Sequence, residues 1–250
     1  MIRKYLPKKW NSILFGNRKL YGTKIIQKDA DWEKWLKFYD KFYIETQKKG
    51  VGNTINEMGY KILKKIHFND KVVLELGPGN LPHFKFWNSY PKKFIAIDTN
   101  QNFLKATKEK INCEFEGIKV SRSSKIPVKS NSVNIILSFY SLEHIYELDQ
   151  MLKEFNRILK KDGIIVGAIP NEGGMAWGLG RYLTTRRYAK KFNINYDKII
   201  CWEHPNFAES ILDSFQKNKF KIEKIKFYPF NFIKCLDFNL VTSFVLKKND

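Results

Sequence analysis

The chain has 250 residues, 43% of them hydrophobic and 15% aromatic, with a formal net charge of +20. That is enough apolar material for one sizeable core with an extension, and no apolar run approaches the ~20 residues of a membrane-spanning helix. The basic start has no secretory-leader pattern, and Cys113, Cys201 and Cys235 lie too far apart for a metal-spaced cluster, so a cytoplasmic protein with free thiols and no metal centre is expected.

Residues 31–49, "DWEKWLKFYDKFYIETQKK", place Trp32, Trp35, Leu36, Tyr39, Phe42 and Tyr43 at helical spacing, and "KKGVGN" breaks that helix. Asn53 or Thr54 is suited to cap a second helix, with Ile55, Met58, Tyr60, Ile62, Leu63 and Ile66 on its apolar side. Residues 1–70 thus read as a helical extension, with core packing or a substrate lid as the roles of its aromatic stripe. From residue 71 the pattern changes. "KVVLELG" and "FIAID" (94–98) are short, continuously apolar strands joined by an expected helix, and "SVNIILSFY" (132–140) is a further buried strand. "LDQMLKEFNRILKKDG" (148–163) is amphipathic and stopped by Gly163, and "IIVGAIP" (164–170) is the next strand. Such alternation implies a parallel sheet covered on both faces. After a helix at 207–218, "FKIEKIKFY" and "LVTSFVLKK" are two closing strands in an antiparallel arrangement. Residues 71–250 therefore form one α/β domain, with 171–206 inserted over the ligand crevice.

Ligands of open parallel sheets sit beyond the carboxyl ends of the strands, where strand order reverses. Gly77 and Gly79 follow the first strand and suit a backbone that must approach a ligand closely. The turn reads "GPGNLP", so Pro82 replaces the third glycine of a dinucleotide fingerprint, and no lysine–serine or lysine–threonine pair follows as in a P-loop. Glu75 ends the first strand and suits cationic or hydrogen-donating groups rather than phosphate. Asp98 ends the next strand, 19 residues after Gly79, where a carboxylate can accept both hydroxyls of a ribose.

In "LELGPGN", "IAIDTN", "SLEHI" and "LKEFNRILKKDG", over about residues 71–170, the chain resembles the class I S-adenosylmethionine-dependent methyltransferases of the type 11, small-molecule branch. The resemblance implies a Rossmann-like sheet of seven strands with the last antiparallel, helices on both faces, and S-adenosylmethionine as cofactor. It implies that Glu75, Gly77, Pro78, Gly79 and Asn80 line the methionine and ribose side. Asp98 would take the ribose hydroxyls, with Thr99 beside the adenine and Ser138, near the end of the strand at 132–140, also binding the cofactor. The family's usual acid near the adenine amine is replaced in "SRSSKIP" by Arg122 and Ser123, so a backbone contact from Ser123 is the expected substitute.

The protein's share of a methyl transfer is to align the acceptor, exclude water and remove a proton where needed. His144, with Glu143 beside it, is a candidate base whose other reading is a helix cap and packing element. Glu203 and His204 in "CWEHPN" either face the acceptor or cap the following helix with Asn206. "GGMAWGLGRYLTTRR" (173–187) carries Arg181, Arg186 and Arg187; their planar forks suit an acceptor carboxylate or phosphate, or else a solvated helix face. This segment also resembles insertions in bacterial methyltransferases associated with surface-polysaccharide genes. O-methylation of a sugar or another small or carrier-linked acceptor is therefore the expected reaction. A lipid or quinone methyltransferase, an RNA methyltransferase and a non-catalytic cofactor-binding regulatory module are the alternatives. For the charge excess, scattered lysines without an arginine-rich tract favour AT-rich coding, then a peripheral anionic-membrane contact or acidic substrate; nucleic acid is not expected.

Overall fold

Branched apolar runs too short for helices become strands, and the structure, a computed structural model, orders them into one sheet. It describes residues 1–42, 51–120 and 125–249, the side chains of 38–42 and 51–52 excepted. The strands are β1 (Val72–Leu76), β2 (Lys93–Asp98), β3 (Glu114–Lys119), β4 (Val133–Phe139), β5 (Leu159–Pro170), β6 (Phe220–Tyr228) and β7 (Val241–Lys248). Their order across the sheet is β3-β2-β1-β4-β5-β7-β6. β1 pairs in parallel with both β2 and β4, whereas β7 runs antiparallel between β5 and β6. The chain winds outward in opposite directions from β1 and β4, which makes the gap beyond their carboxyl ends the switch point.

Alternation along the strands feeds two cores. On one face Leu74, Leu76, Ile95, Ile97, Ile136 and Ile165 pack under the amphipathic helix α6 (Leu148–Ile158) and α10 (Ala208–Lys217). On the other, Val73, Phe94, Ala96, Ile135, Leu137 and Val166 meet Tyr60, Ile62, Leu63, Phe68, Phe86 and Leu104. Leu104 lies on α5 (Gln101–Lys110), Tyr60 ends α4 (Val51–Tyr60), and Ile62 and Leu63 belong to the 3-10 turn Lys61–Lys65.

The first 70 residues divide between two tasks. While α4 and the turn after it cover the sheet, α1 (Lys8–Phe15), α2 (Arg18–Tyr21) and α3 (Ala30–Phe42) lie against the insertion helices α7 (Met175–Leu183), α8 (Thr185–Lys191) and α9 (Tyr196–Glu203). A third cluster holds Trp32 and Trp35 against Tyr196, Ile199, Ile200 and Trp202. Arg3 and Arg18 each set a guanidinium over the Phe207 ring, at 3.9 and 3.8 Å from its centroid. The insertion is thus clamped from the start of the chain.

Several local expectations change. The β1–β2 connection holds no α-helix, only a 3-10 turn at Phe84–Phe86; positive φ at Gly77, Gly79 and Leu81, with Pro82 just after, keeps the backbone out of a helix. α6 stops at Ile158, before Gly163, because β5 begins at Leu159 and pairs it with Val133. α4 starts ahead of Asn53, whose side chain bonds Glu57 instead of capping a helix end. Leu36 is exposed although Trp32 and Trp35 are buried; the side chains of Tyr39, Phe42 and Tyr43 lie outside the described residues. β3 escapes the apolar pattern because it is an edge strand with exposed and half-buried side chains.

Candidate active site

The β1–β4 switch point is built first from backbone. Gly77 and Gly79 have φ of +68° and +53°. A Cβ on Gly77 would stand 3.3 Å from Ser141 Cβ, whereas none of the described residues lies within 4 Å of one on Gly79, so among them the turn leaves open space above it. The Gly77 N–H is tied to the Ile97 carbonyl at 2.8 Å, and the Thr107 hydroxyl donates to the Gly79 carbonyl at 3.2 Å. Pro78 is buried and Asn80 half-buried; Lys110 bonds the Asn80 carbonyl. Asp98 accepts the Asn100 N–H at 2.8 Å and is also bonded by the Gly79 and Thr99 backbone, which fixes it beside the glycine turn. Burial lifts its carboxyl above the ordinary value, and those backbone bonds oppose the rise. Thr99 is exposed. Ser138 is buried, and its hydroxyl shares a 2.7 Å hydrogen bond with that of Ser141. Ser123 and Arg122 lie outside the described residues.

Glu75 is 1% exposed. Its Oε1 accepts from His83 Nε2 at 2.6 Å, while its Oε2 is buried with no hydrogen-bond partner among the described residues. Trp87 Nε1–H donates to His83 Nδ1 at 3.1 Å, so in the neutral ring the proton sits on Nε2 and points at Glu75. Tyr60, Phe139 and Trp87 surround the imidazole. The sequence gives His83 no role beyond solvation or packing, yet it holds the strand-end acid. Its only local signal is a histidine within the aromatic "HFKFW" run after the turn.

Across the crevice, Glu143 and His144 occupy a 3-10 turn (Leu142–His144) just after β4, and His204 follows α9. The structure brings all three together: one donor atom from each lies within 4.8 Å of the others. The two imidazoles meet edge to face, centroids 4.7 Å apart. His144 Nδ1 donates to the Glu203 carbonyl at 2.6 Å, and His204 Nδ1 bonds Glu172 Oε2 at 2.9 Å. Burial lowers His204, which favours its neutral form. Burial pushes Glu143 up to about 8, with the charge of Glu172 adding to the rise. Its Oε2 has no hydrogen-bond partner among the described residues. Asn206 caps no helix; it donates to the Leu142 and Ile145 carbonyls at 3.1 and 2.6 Å and so pins the Glu143 turn to the insertion.

The residues expected to bind the acceptor are engaged within the protein. Arg181 is 7% exposed and grips Glu172 with both arms of its guanidinium, one bond measuring 2.9 Å. Burial alone would raise the Glu172 carboxyl, but the charge of Arg181 and the His204 bond outweigh it and hold the group well below the ordinary range. Arg186 spends its fork on Asp197 and the Ile13 carbonyl. Glu203 accepts the Trp35 indole N–H at 2.6 Å. These groups position the insertion. A surface cavity of about 570 Å³, lined by Lys65, His67, Lys71 and Lys160, lies at the amino ends of the strands, away from this crevice.

The methyltransferase domain family profile matches residues 74–167. Uncharacterized protein MJ1252 of Methanocaldococcus jannaschii is 28% identical over 177 residues, covering 69% of this chain and 65% of that protein. The ubiquinone/menaquinone biosynthesis C-methyltransferase UbiE of Campylobacter jejuni is 38% identical over 72 residues, 28% of this chain and 29% of that one. The chain thus spans just under two thirds of the first relative's length and under one third of the second's. An S-adenosylmethionine dependent methyltransferase from Mesorhizobium loti shares the fold, with a TM-score of 0.56 at 14% identity over 78% of this chain and 99% of that one.

Proposed function

We propose that the chain is an S-adenosylmethionine-dependent methyltransferase, its domain lying where the methyltransferase profile matches residues 74–167, and that it methylates an oxygen of a sugar or another small or carrier-linked acceptor. The observation that carries the acceptor half of this reading is the gathering of Glu143, His144 and His204 beside the cofactor turn, where a hydroxyl's proton must go.

The residues present fit the cofactor. The space left above Gly79 by the described residues admits a ligand against the backbone, Asp98 offers a fixed carboxylate to a ribose diol, and Glu75 Oε2, without a partner among the described residues, offers an acceptor to a donating group. S-adenosylmethionine, when bound, supplies a methyl group activated on a sulfonium. Ser138 and Ser141 brace the turn from the β4 side. His204, neutral and anchored through Nδ1 by Glu172, presents Nε2 as the base for an acceptor hydroxyl.

Titration calorimetry with S-adenosylmethionine tests the cofactor half. Asp98→Ala is expected to weaken binding by about 1–3 kcal/mol, as loss of charged hydrogen bonds does; unchanged affinity refutes the ribose role. Formation of S-adenosylhomocysteine with sugar nucleotides and lipid-linked sugars tests the acceptor half, and turnover only with quinols or RNA overturns it. A second reading, a lipid or quinone acceptor at a membrane surface, is supported by the likeness to a quinone-pathway C-methyltransferase and by exposed aromatics such as Trp10 and Phe232.

A further inference from the structure

The cluster beside the crevice has more order than a proton acceptor needs. A carbonyl can only accept a hydrogen bond, so His144 carries a proton on Nδ1, and its neutral ring has the lone pair on Nε2. Glu172 is an ionised carboxylate held by Arg181, so His204 likewise carries its proton on Nδ1 and its lone pair on Nε2. Both imidazoles are therefore locked in one tautomer by the group behind them. Histidines that bind a metal through one nitrogen are oriented this way, the other N–H donated to a carboxylate or carbonyl.

The third member completes the set. Glu143 is 2% exposed and its Oε2 is a buried polar atom with no hydrogen-bond partner among the described residues, which is costly unless something satisfies it. Its Oε1 lies 3.9 Å from His144 Nε2. Arg181 lies nearby but is committed to Glu172, so its charge is already neutralised.

We propose that Glu143, His144 and His204 form a binding site for a divalent first-row transition-metal ion, with two imidazole nitrogens and one carboxylate as protein ligands. Two nitrogens and one carboxylate favour zinc, cobalt, iron or nickel over magnesium or calcium, which prefer all-oxygen sets. With metal–ligand bonds of about 2.0–2.2 Å, the donors must close by about 1 Å from their present spacing. His144, the most exposed of the three side chains, has the most room to make that shift. Three protein ligands leave open positions on the crevice side. There the ion would replace the imidazole base as the device that acidifies an acceptor hydroxyl; this role rests on the methyl-transfer reading, whereas binding itself does not. Cysteine spacing gave no sign of the site because it uses no cysteine and joins positions 60 residues apart.

The full chain, stripped with a chelator and titrated with Co²⁺ under visible absorption, tests the inference, with Mg²⁺ as control. One equivalent of Co²⁺ is expected to bind and to be displaced by Zn²⁺. His144→Ala, at a half-exposed position that leaves the fold intact, and His204→Ala should each weaken binding by about 10-fold or more; Glu172→Gln should cost about 10–100-fold through loss of the orienting carboxylate. No binding of Co²⁺ or Zn²⁺ tighter than about 1 mM, or equal affinity in wild type and both histidine variants, overturns the proposal. S-adenosylmethionine titration of the same samples separates the two claims. Cofactor binding without cobalt binding sinks the metal site alone, and cobalt binding without cofactor binding sinks the methyl-transfer reading alone.

Discussion

Glu143 shows how much a single side chain's burial decides. Its carboxyl moves from 4.5 in the open to about 8 in the fold, chiefly by desolvation. Between those values the unfolded chain releases a proton that the folded chain keeps. The associated stability is therefore complete below about pH 4.5 and is lost as pH rises through about 8. Glu143→Gln keeps the volume and removes the titration. In chelator-treated protein the variant is expected to match wild type near pH 5 and to melt several degrees higher near pH 9, by thermal unfolding followed with circular dichroism. Equal pH slopes for the two would show that Glu143 is not buried as described. Added transition metal should narrow the gap at pH 9 from the wild-type side, since a cation on the carboxylate replaces the missing proton. The same scale explains what the sequence reveals. Glu75, Gly77, Gly79 and Asp98 are legible because they are close in the chain and their residue types constrain backbone and charge. His83, the partner of Glu75, is not legible, since a histidine among aromatics reads as packing until Trp87 and Glu75 are seen on its two nitrogens.

Elements were legible where burial is symmetrical or strongly one-sided. β1, β2, β4 and β5 are covered on both faces and read as apolar runs, and α6 carries Leu148, Met151, Leu152, Phe155 and Ile158 on one side. Edge strand β3 and the connection at 77–92 were not, because there partner geometry and proline decide instead of periodicity. The insertion is the sharpest case. Arg181 and Arg186 look like ligand-binding forks in a glycine-rich stretch, and only packing shows that α7 and α9 close over them. Arg181 joins α7 to Glu172 at the exit of β5 and, through His204, to the end of α9. Arg181→Met leaves Glu172 buried without its cation and is expected to cost about 3–5 kcal/mol in denaturant unfolding. The double variant Arg181→Met, Glu172→Met should recover much of that loss. A single variant within 1 kcal/mol of wild type would mean the pair is solvated.

At the scale of the whole molecule, the charge of +20 acquires a setting. Among the described residues no helix is long and apolar enough to cross a membrane. Large apolar side chains are nonetheless exposed on two helices that pack together: Trp10 on α1, and Leu179, Tyr182 and Leu183 on α7. Phe230, Phe232 and Phe238 are exposed in the β6–β7 connection, Phe232 at 82%. Lys8 and Lys9 adjoin Trp10, and Arg187 lies four residues beyond Leu183. Amphipathic surfaces of this composition suit the headgroup region of an anionic bilayer, where each basic residue near the surface contributes about 1 kcal/mol and each buried aromatic adds its apolar area. The alternative is a merely compositional lysine excess with no membrane contact. Co-sedimentation with vesicles distinguishes the two. Peripheral contact is expected to give binding to phosphatidylglycerol-containing vesicles but not to phosphatidylcholine alone, with loss at high salt and a several-fold weakening in Trp10→Ala and Phe232→Ala. If anionic vesicles bind the wild type and both variants equally, the charge acts diffusely and the aromatics play no part; if they bind none, the membrane contact is wrong.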